Sequence, residues 1–379
     1  MPVLDAALFD QEAMLRGLVE WVSIESPTYE PEAVNRMIST VARELSTMGA
    51  DIQTIAGRDG FGDAVLARFK GEVDGPGILV LAHLDTVHPI GTVDRSLPLR
   101  RDGDRYYGPG IFDMKGGTYI AVEALRQVLR AYGSTALSVT FLLIPDEEIG
   151  SPTTRSLIES MARSSKYVLV PEPAQDRGRL VSGRWAFARF VLRARGRPAH
   201  AGANTRTGLS AIREMAEQII RIEEMSRPDD DVTYSVGKIA GGTFVNVVPM
   251  ECSAEVLAIA PTGAYLKQVR DNMLALRPTR EGVEFSVTEG PVRPLFECRD
   301  GTLRLCELAQ RLAREVGFEV EHGSVGGGSD GNFTGALGIP TLDGLGLCGE
   351  GFHTHREYIL VSSLVPRARV FGGLLSELK

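Results

Sequence analysis

The stretch "ALSVTFLLIPDEEIGS", residues 136–151, runs from an apolar segment directly into three adjacent carboxylates. Its almost continuous apolar residues over 136–144 are typical of a strand that is buried on both faces of a sheet. Asp146, Glu147 and Glu148 follow, and neighbouring carboxylates repel one another and resist removal from water. The stretch therefore predicts a buried strand that ends beside a positive charge, or a segment far more exposed than its apolar half indicates.

The sequence on both sides of this stretch alternates between helix and strand patterns. Continuous apolar runs predict two more buried strands at 77–84 and 166–170, and helical apolar spacing predicts helices over 11–23, 31–48 and 117–132. Such alternation is typical of α/β folds with parallel strands. We therefore predict an α/β fold in which a mostly parallel mixed sheet is flanked by helices.

The pattern changes near residue 180. "RWAFARFVLRARG" (184–196) alternates apolar and polar residues, which is typical of a strand with one exposed face. Further strand patterns of this kind and two helix patterns follow, and the α/β style returns near residue 295. We predict one large domain, residues 1–179 and 291–379, interrupted by an α+β insert, residues 180–290.

Composition and charge narrow the class of protein. The 379 residues are 43% hydrophobic and 24% charged, as in soluble globular proteins. The net charge is −8 and the basic residues are scattered, which argues against nucleic acid or an anionic membrane as a partner. No apolar run approaches the ~20 residues that span a bilayer. The N-terminal residues lack the pattern of a secretory signal and the four cysteines are widely spaced, so we expect a cytoplasmic protein with reduced thiols.

Polar residues that can bind metals end the predicted strands. In "LAHLDT" (81–86), His83 and Asp85 lie two residues apart, so both side chains face the same side of a strand. A metal-binding imidazole usually donates its second N–H to an acceptor such as a carboxylate, and Asp85 can supply it. The pair predicts a metal ligand with its orienting partner. The alternative is a capped strand end with an unrelated histidine.

Three further segments supply ligands of the same kind. Asp113 in "YGPGIFDMKGG" (107–117) lies between glycine-bearing turns before a predicted helix, where it could bridge two cations or simply cap the helix. Glu172 in "VPEP" ends the next strand, and "GFHTHREY" supplies His353, which we favour as a ligand over His355. In open α/β sheets, ligands collect at the carboxyl ends of the strands, and these residues fall at such ends.

Glu147 and Glu148 can have different roles, because neighbouring residues at a strand end point in different directions. One carboxylate can coordinate a cation while the other takes a proton from water. Two imidazoles with three or four carboxylates and no thiolate suit one or two divalent ions of the zinc, cobalt or manganese type. A bound cation would also remove the repulsion among the adjacent carboxylates.

The sequence resembles the co-catalytic zinc peptidase and deacylase family, which includes glutamate carboxypeptidase, aminoacylase, acetylornithine deacetylase and succinyl-diaminopimelate desuccinylase. The matching motifs keep the family's order along almost the whole chain: "HLDTV", "GPGIFDMKGG", "PDEEIGS", "EP", "RPAHAG", "NVVP", "GGGSDGNF" and "GFHTHREY". The segments "GGGSDGNF" and "TEGPVRPLF" are most similar to glutamate carboxypeptidase.

The resemblance implies a zinc-exopeptidase-like domain that holds two divalent metal ions, zinc or else cobalt or manganese. It implies that His83, Asp113 and Glu172 bind one ion. It also implies that Asp113, Glu148 and His353 bind the other, so that Asp113 bridges the two.

The resemblance further implies that Glu147 acts as general base and then as general acid. Asp85 would orient His83, and the peptide bond between Asp113 and Met114 would be cis, as is often found in the family.

For the insert, the resemblance implies a lid and dimerisation domain, so we expect a homodimer. His200 in "RPAHAG" matches a histidine that in dimeric relatives reaches the partner subunit's active site and polarises the scissile carbonyl. Asn246 in "NVVP" matches an asparagine with a similar task. The alternatives are a surface-loop histidine and a turn asparagine.

Four more residues are expected to bind substrate. Gly328 and Ser329 match a family loop whose backbone donors hold the substrate. Arg184 and Arg293, at the edges of the insert, could grip a substrate carboxylate through bidentate hydrogen bonds, unless they are solvated surface arginines. The segment "CSAEVLAIAP" (252–261) departs from the family because it lacks an arginine that many relatives carry after the N-x-x-P motif.

These features predict a metal-dependent hydrolase of an amide or peptide bond next to a free carboxylate, similar to glutamate carboxypeptidase and acting on a small peptide. An alternative is deacylation of an N-acyl amino acid, as in acetylornithine deacetylase and the desuccinylases. A remote alternative is a serine hydrolase, because Ser329 lies in a G-x-S-x-G pattern and is followed by Asp343 and His353. A metal-retaining relative without activity is a further alternative.

Overall fold

The computed structural model describes residues 3–379, which divide into two compact units. The first unit runs to Gly183 and resumes over Phe296–Val325 and Ser329–Lys379. The second unit comprises Arg184–Leu295 and Gly326–Gly328, so it overlaps the predicted insert over residues 184–290. Within residues 3–379, no helix combines the length and apolar character needed to cross a membrane.

The secondary structure of the described residues is numbered in chain order. The strands are β1 (Asp51–Ile55), β2 (Ala64–Phe69), β3 (Val73–His83), β4 (Arg100–Asp102), β5 (Arg105–Tyr107), β6 (Leu137–Ile144), β7 (Tyr167–Leu169), β8 (Leu180–Arg184), β9 (Ala186–Arg195), β10 (Thr233–Gly241), β11 (Glu251–Ala260), β12 (Glu284–Arg293), β13 (His322–Val325), β14 (Thr341–Leu342), β15 (Gly349–Glu350) and β16 (Tyr358–Leu360). The helices are α1 (Gln11–Val22), α2 (Pro31–Thr47), α3 (Thr92–Arg95), α4 (Gly116–Tyr132), α5 (Arg155–Arg163), α6 (Ala211–Glu223), α7 (Gly263–Leu274), α8 (Asp300–Val316), α9 (Gly331–Ala336) and α10 (Leu364–Glu377).

The central sheet of the first unit has the strand order β1-β2-β6-β3-β7-β14. Strands β6, β3, β7 and β14 are parallel, whereas β2 pairs antiparallel with both β6 and β1. Parallel neighbours need long crossover connections, and helices such as α4 and α5 lie in these connections. The predicted α/β fold with a mostly parallel mixed sheet is confirmed.

The continuous apolar runs arise because both faces of the central strands are covered. Along β3, Ile78, Val80 and Ala82 belong to one apolar cluster, and Leu79 and Leu81 belong to another. The first cluster contains side chains from α1, α2, α4, α8 and α10, and the second contains side chains from α5 and α9. Successive residues face opposite sides of a strand, so a strand covered on both sides must be apolar throughout.

The helix ends of the first unit follow from local chemistry. The side chain of Asp10 accepts hydrogen bonds from two backbone N–H groups in the first turn of α1. Pro31 is the first residue of α2, where the missing N–H has no cost. Helix α4 ends at Gly133, whose φ of +80° suits glycine.

The second unit is an antiparallel sheet with the order β10-β11-β9-β12. Helices α6 and α7 cover one face and form a separate apolar cluster with it. In β9, Ala188, Phe190 and Leu192 are buried against these helices, whereas Arg189 and Arg193 on the other face are exposed. This alternation is the strand pattern that the sequence predicts.

Candidate metal centre

The carboxyl ends of three neighbouring strands gather four of the predicted site residues. Strands β6, β3 and β7 are adjacent and parallel, so these ends share one edge of the sheet. His83 is the last residue of β3. Glu147 and Glu148 open a single 3₁₀ turn after β6, and Glu172 follows shortly after β7.

Asp113 lies in a tight turn, Ile111–Lys115, that leads directly into α4. Gly110 precedes this turn with a φ of +70°, and a Cβ atom at that position would lie 2.4 Å from Cγ2 of Thr86. Only glycine meets both conditions without strain. The Asp113–Met114 peptide bond is cis, as the resemblance implies.

Asp113 directs its two carboxylate oxygens at two different imidazoles. Its Oδ1 lies 3.2 Å from Nε2 of His83, and its Oδ2 lies 3.2 Å from Nε2 of His353. Each imidazole has a second carboxylate beside it. Oε1 of Glu172 is 3.7 Å from His83 Nε2, and Oε2 of Glu148 is 2.9 Å from His353 Nε2. The five side chains therefore form two groups that share Asp113.

His83 is oriented through its Nδ1 atom. Nδ1 lies 3.0 Å from the backbone carbonyl oxygen of Asp85 and 3.5 Å from the Asp85 carboxylate. A proton on Nδ1 that is donated to this carbonyl leaves the lone pair of Nε2 facing Asp113. The sequence predicts the Asp85 side chain as the orienting acceptor, whereas in the structure the nearer acceptor is its carbonyl group.

The buried Asp85 carboxylate holds the neighbouring turn. It accepts hydrogen bonds from the hydroxyl of Thr28 at 2.8 Å and from the backbone N–H groups of Glu147 and Glu148 at 3.2 and 3.3 Å. Hydrogen bonds to an ionised acceptor are stronger than neutral ones. Asp85 therefore fixes the segment that carries Glu147 and Glu148.

The three adjacent carboxylates of residues 146–148 have different surroundings. Asp146 accepts hydrogen bonds from the N–H and the hydroxyl of Thr153, and from the hydroxyl of Thr154. Glu148 faces His353, and Glu147 is buried at the start of the 3₁₀ turn. The divergent partners separate charges that would repel one another if they shared one environment.

The pKa values at the site reveal an excess of buried negative charge. Burial and the charge of Asp113 raise the pKa of Glu148 to about 8. The same two causes raise the pKa of Glu172 well above its usual value. Hydrogen bonds to Asp113 and Glu148 raise the pKa of His353 to about 11. In the metal-free protein, protons therefore offset charge that a cation could balance instead.

This donor set fits divalent metal ions. One possible ligand atom from each of His83, Asp113 and Glu148 lies within 4.8 Å of the other two. Imidazoles and carboxylates without thiolates suit zinc, cobalt or manganese. The carbonyl acceptor behind His83 is the outer support that metal-binding histidines usually have.

In the second unit, the segments that carry His200 and Asn246 pair with one another. The N–H of Ala201 donates to the carbonyl oxygen of Asn246 at 2.9 Å, and both predicted residues are exposed. Nδ1 of His200 accepts hydrogen bonds from the N–H groups of Gly202 and Ala203 at 3.1 and 3.2 Å. A neutral His200 therefore carries its proton on Nε2 and can donate it in a hydrogen bond.

Arg184 and Arg293 are buried, with 4% and 5% of their surfaces exposed. Nη1 of Arg184 donates to the carbonyl oxygen of Gly327 at 2.9 Å. The guanidinium of Arg293 lies 5.8 Å from the centre of the Phe187 ring. Their burial contradicts the alternative that these are solvated surface arginines.

The hydrogen bonds of Ser329 bear on both roles that the sequence predicts for it. It is fully buried, and its backbone N–H donates to Oδ1 of Asn332 at 3.0 Å. Its hydroxyl donates to Asp343 at 2.6 Å, whereas a serine hydrolase needs a histidine in that position. The surroundings of Ser329 therefore do not favour the serine-hydrolase alternative, and its role in substrate binding stays a prediction. Gly328 is exposed.

Two buried residues beside the site, His88 and Glu357, are not predicted by the sequence. Glu357 lies in the same "GFHTHREY" segment as His353, and His88 follows the "LAHLDT" segment. Their contact joins positions 269 residues apart in the chain, so no local pattern indicates it. Without that contact, a histidine and a glutamate in loops would be expected to face solvent. Proximity to a predicted ligand is the one signal available in the sequence.

The α/β sheet gathers an imidazole and several carboxylates at the carboxyl edge of its parallel strands, and with His353 they form a candidate metal centre. The model of peptidase family M20/M25/M40 matches residues 79–377, and the chain belongs to this family. The predicted resemblance is confirmed.

Known proteins similar to this chain include two curated enzymes and one solved structure. Carboxypeptidase G2 of Pseudomonas sp. (strain RS-16) is 28% identical over 387 residues, which cover 99% of this chain and 92% of that enzyme. Succinyl-diaminopimelate desuccinylase of Thioalkalivibrio sulfidiphilus is 26% identical, with 80% of this chain and 84% of that enzyme covered. The crystal structure of aminopeptidase PepT from Bacillus cereus has a TM-score of 0.78, 24% identity, and coverage of 97% and 98% of the two chains, which supports the fold.

Proposed function

We propose that the protein hydrolyses an amide or peptide bond next to a free carboxylate, with the help of two divalent metal ions. The observation that carries the proposal is the position of Asp113, whose two oxygens each lie 3.2 Å from a different imidazole. A carboxylate between two imidazoles, each with a further carboxylate, suits a bridged pair of ions.

The residues that would hold the metal ions follow from these contacts. His83, Asp113 and Glu172 would hold one ion. Asp113, Glu148 and His353 would hold the other. Zinc is our first choice, with cobalt or manganese as alternatives. When bound, the ions supply Lewis-acid chemistry that lowers the pKa of water and polarises a carbonyl group.

Glu147 is the general base in this proposal. It is buried, and it directly precedes the proposed ligand Glu148 in the 3₁₀ turn after β6. Its backbone N–H is fixed by Asp85. Glu147 would take a proton from the attacking water and return it to the leaving amine.

His200 and Asn246 would stabilise the oxyanion of the tetrahedral intermediate. His200 is exposed, and its Nε2–H is available as a donor because Nδ1 is already an acceptor. Because His200 and Asn246 are exposed, a second copy of the chain could approach them. We therefore propose that His200 acts in the active site of the partner subunit.

The surface of the second unit supports a homodimer. Strand β10 is an edge strand, and edge strands with exposed apolar residues tend to pair. Ile239 on β10 is 52% exposed, and Ile220 on α6, which packs against β10, is 60% exposed. We expect Ile239→Glu to dissociate the dimer in light-scattering measurements. Leu8→Glu, a change of a similarly exposed residue in the first unit, is the control and should leave the dimer intact.

The substrate would be a small peptide or a glutamate conjugate with a free carboxylate. The similarity to carboxypeptidase G2 supports this choice. The buried guanidinium groups of Arg184 and Arg293 are the proposed partners of the substrate carboxylate, with backbone contacts from Gly328. The similarity to a desuccinylase supports deacylation of N-acyl amino acids as a second candidate function.

A hydrolysis screen tests the proposal. The metal-stripped protein, resupplied with zinc, cobalt or manganese, would be offered C-terminal glutamate conjugates, dipeptides, and N-acetyl or N-succinyl amino acids. We expect turnover of the glutamate conjugates, and none before metal is added. Turnover of the N-succinyl or N-acetyl substrates alone would favour the second function. Glu147→Ala protein, purified in the same way, controls for contaminating peptidases.

We further propose that the protein works in the cytoplasm. Its four cysteines are free in the structure, and Cys252 and Cys306 are buried. Free thiols are typical of proteins in reducing compartments. Fractionation of cells that produce the protein at its natural level tests this location.

A further inference from the structure

Glu357 organises the turn that presents Asp113. The Glu357 side chain is buried, with 1% exposed. Its Oε1 accepts the backbone N–H groups of Phe112 and Asp113 at 2.8 and 3.1 Å, and its Oε2 accepts the N–H of Gly110 at 3.0 Å. The turn is therefore wrapped around one carboxylate that comes from a segment far away in the chain.

The same carboxylate contacts His88. Oε2 of Glu357 lies 2.7 Å from Nε2 of His88, and both residues are buried. His88 lies five residues after His83, and Glu357 lies four residues after His353. The pair thus joins the segment after His83, the turn of Asp113 and the loop of His353. The turn and the loop each contain a proposed metal ligand, and the first segment directly follows one, His83.

The chemistry of this position requires a carboxylate. Glu357 faces three backbone N–H groups and the Nε2 atom of His88 with only two oxygens. An ionised carboxylate has about four lone-pair sites and no donor, so it can accept all four hydrogen bonds. A glutamine would place its NH₂ group, itself a donor, against two of these donors and lose those hydrogen bonds. An aspartate side chain would be one methylene too short to reach them.

We propose that Glu357 and His88 are positioning residues that hold His83, Asp113 and His353 at their separations. The inference rests on the proposed metal-dependent function. Neither residue belongs to the proposed ligand set or to the groups that transfer protons. Residues that support metal ligands from outside typically change metal affinity by ~10–100-fold when they are mutated.

A buried hydrogen-bonded pair with only a structural role would lower stability and leave metal binding unchanged, so the test separates these two effects. Glu357→Gln is compared with Glu214→Gln. Glu214 is also fully buried and accepts two backbone N–H groups, from Thr279 and Arg280, but it lies in the second unit on a segment without proposed ligands. Both changes remove one buried carboxylate.

Three quantities are measured on each metal-stripped variant: zinc affinity by chelator competition, the visible spectrum with bound Co²⁺, and the thermal unfolding midpoint without metal. We expect Glu357→Gln to lower zinc affinity by ~10–100-fold and to change the cobalt spectrum. Glu214→Gln should lower the unfolding midpoint alone. An unchanged affinity and spectrum in Glu357→Gln, or equal losses of affinity in both variants, would overturn the inference.

His88 provides a second comparison that holds even if Glu357→Gln does not fold. His88→Gln keeps an N–H donor near the position of Nε2, whereas His88→Leu removes it. We expect zinc affinity close to wild type in His88→Gln and a loss of ~10-fold or more in His88→Leu. Equal affinities in the two variants would refute the positioning role. Failure of the wild-type protein to bind zinc, cobalt or manganese would instead overturn the proposed function itself.

Discussion

The candidate metal centre of the first unit and the His200 and Asn246 segments of the second unit hold their polar residues in different surroundings. In the first unit, side chains from separate segments meet in one cluster that is buried except for His353, whose side chain is 46% exposed, and Asp113 lies 3.2 Å from two imidazoles. In the second unit, His200 and Asn246 are exposed, and residues along β9 alternate between buried and more exposed positions. The candidate site of the first unit holds most of its charge away from water, whereas His200 and Asn246 lie at the surface of the second unit, in which Arg184, Arg293 and Glu214 are buried.

This difference indicates that the two units fail in different ways. A buried cluster of like charges is stable only with protons or cations, so changes there should act on metal binding and proton transfer. An exposed group is stable without a partner, so changes of His200 or Asn246 should act on turnover and leave metal content unchanged. The following predictions test this contrast.

The largest effect is expected from Asp113→Asn. The change removes the negative charge between the two imidazoles, so we expect loss of both metal ions and activity below detection. Metal content by elemental analysis, measured beside the hydrolysis rate, checks this. Asp94→Asn, a change of an aspartate that is not among the proposed ligands, is the control. Full metal content in Asp113→Asn would refute the bridging role.

Glu147→Ala should separate metal binding from chemistry within the first unit. The side chain is not among the proposed ligands, so we expect the metal content to stay at the wild-type level. Loss of a general base typically lowers the rate by ~10²–10⁴-fold. Steady-state kinetics and elemental analysis on the same preparation provide both values. Wild-type turnover would exclude Glu147 as the base.

His200→Ala should show the behaviour of the second unit. Removal of an oxyanion donor typically costs ~10²–10³-fold in kcat, and we expect zinc affinity to remain unchanged. If the site is shared between subunits, heterodimers of His200→Ala and Glu147→Ala chains should regain part of the activity. Heterodimers verified by mass spectrometry that show no recovery would count against a shared site.

The pH dependence of metal binding should be confined to the first unit. Hydrogen bonds to Asp113 and Glu148 raise the pKa of His353 to about 11, so at neutral pH the metal-free site holds this imidazole protonated. A metal ion must displace that proton, so zinc affinity should rise with pH by about tenfold per unit for each proton released. Calorimetry in buffers of different ionisation enthalpy counts the protons. A pH-independent affinity would contradict this coupling.

The sequence predicts much of the fold because burial leaves a local pattern. The continuous apolar run of β3 and the alternation in β9 each reflect their own surroundings. Four of the five proposed ligand residues are also predictable because they lie at strand ends or before a helix, whereas His353 lies in a loop and is predicted from its motif. The contact between Glu357 and His88 joins residues 269 positions apart, so local sequence patterns do not predict it.

Two contacts at the predicted site differ from those that the motifs indicate, and the difference has a common physical origin. Ser329 matches a motif, but its hydroxyl and N–H are both taken by Asp343 and Asn332. The carbonyl of Asp85, rather than its side chain, is the nearer acceptor for His83. Hydrogen-bond partners depend on three-dimensional distances, and a residue type alone does not specify them.

The two-sided burial of β3 has a consequence for how the strand finds its alignment. A slip of one residue would move Ile78, Val80 and Ala82 to the face now occupied by Leu79 and Leu81, and the leucines to the opposite face. Both faces would still carry apolar side chains. Apolar burial therefore discriminates poorly between these two alignments. The same slip would reverse the direction of His83, which is paired with Ile144 at the strand's end. The direction of the proposed ligand His83 thus distinguishes the two alignments of the central strand, which apolar burial alone does not.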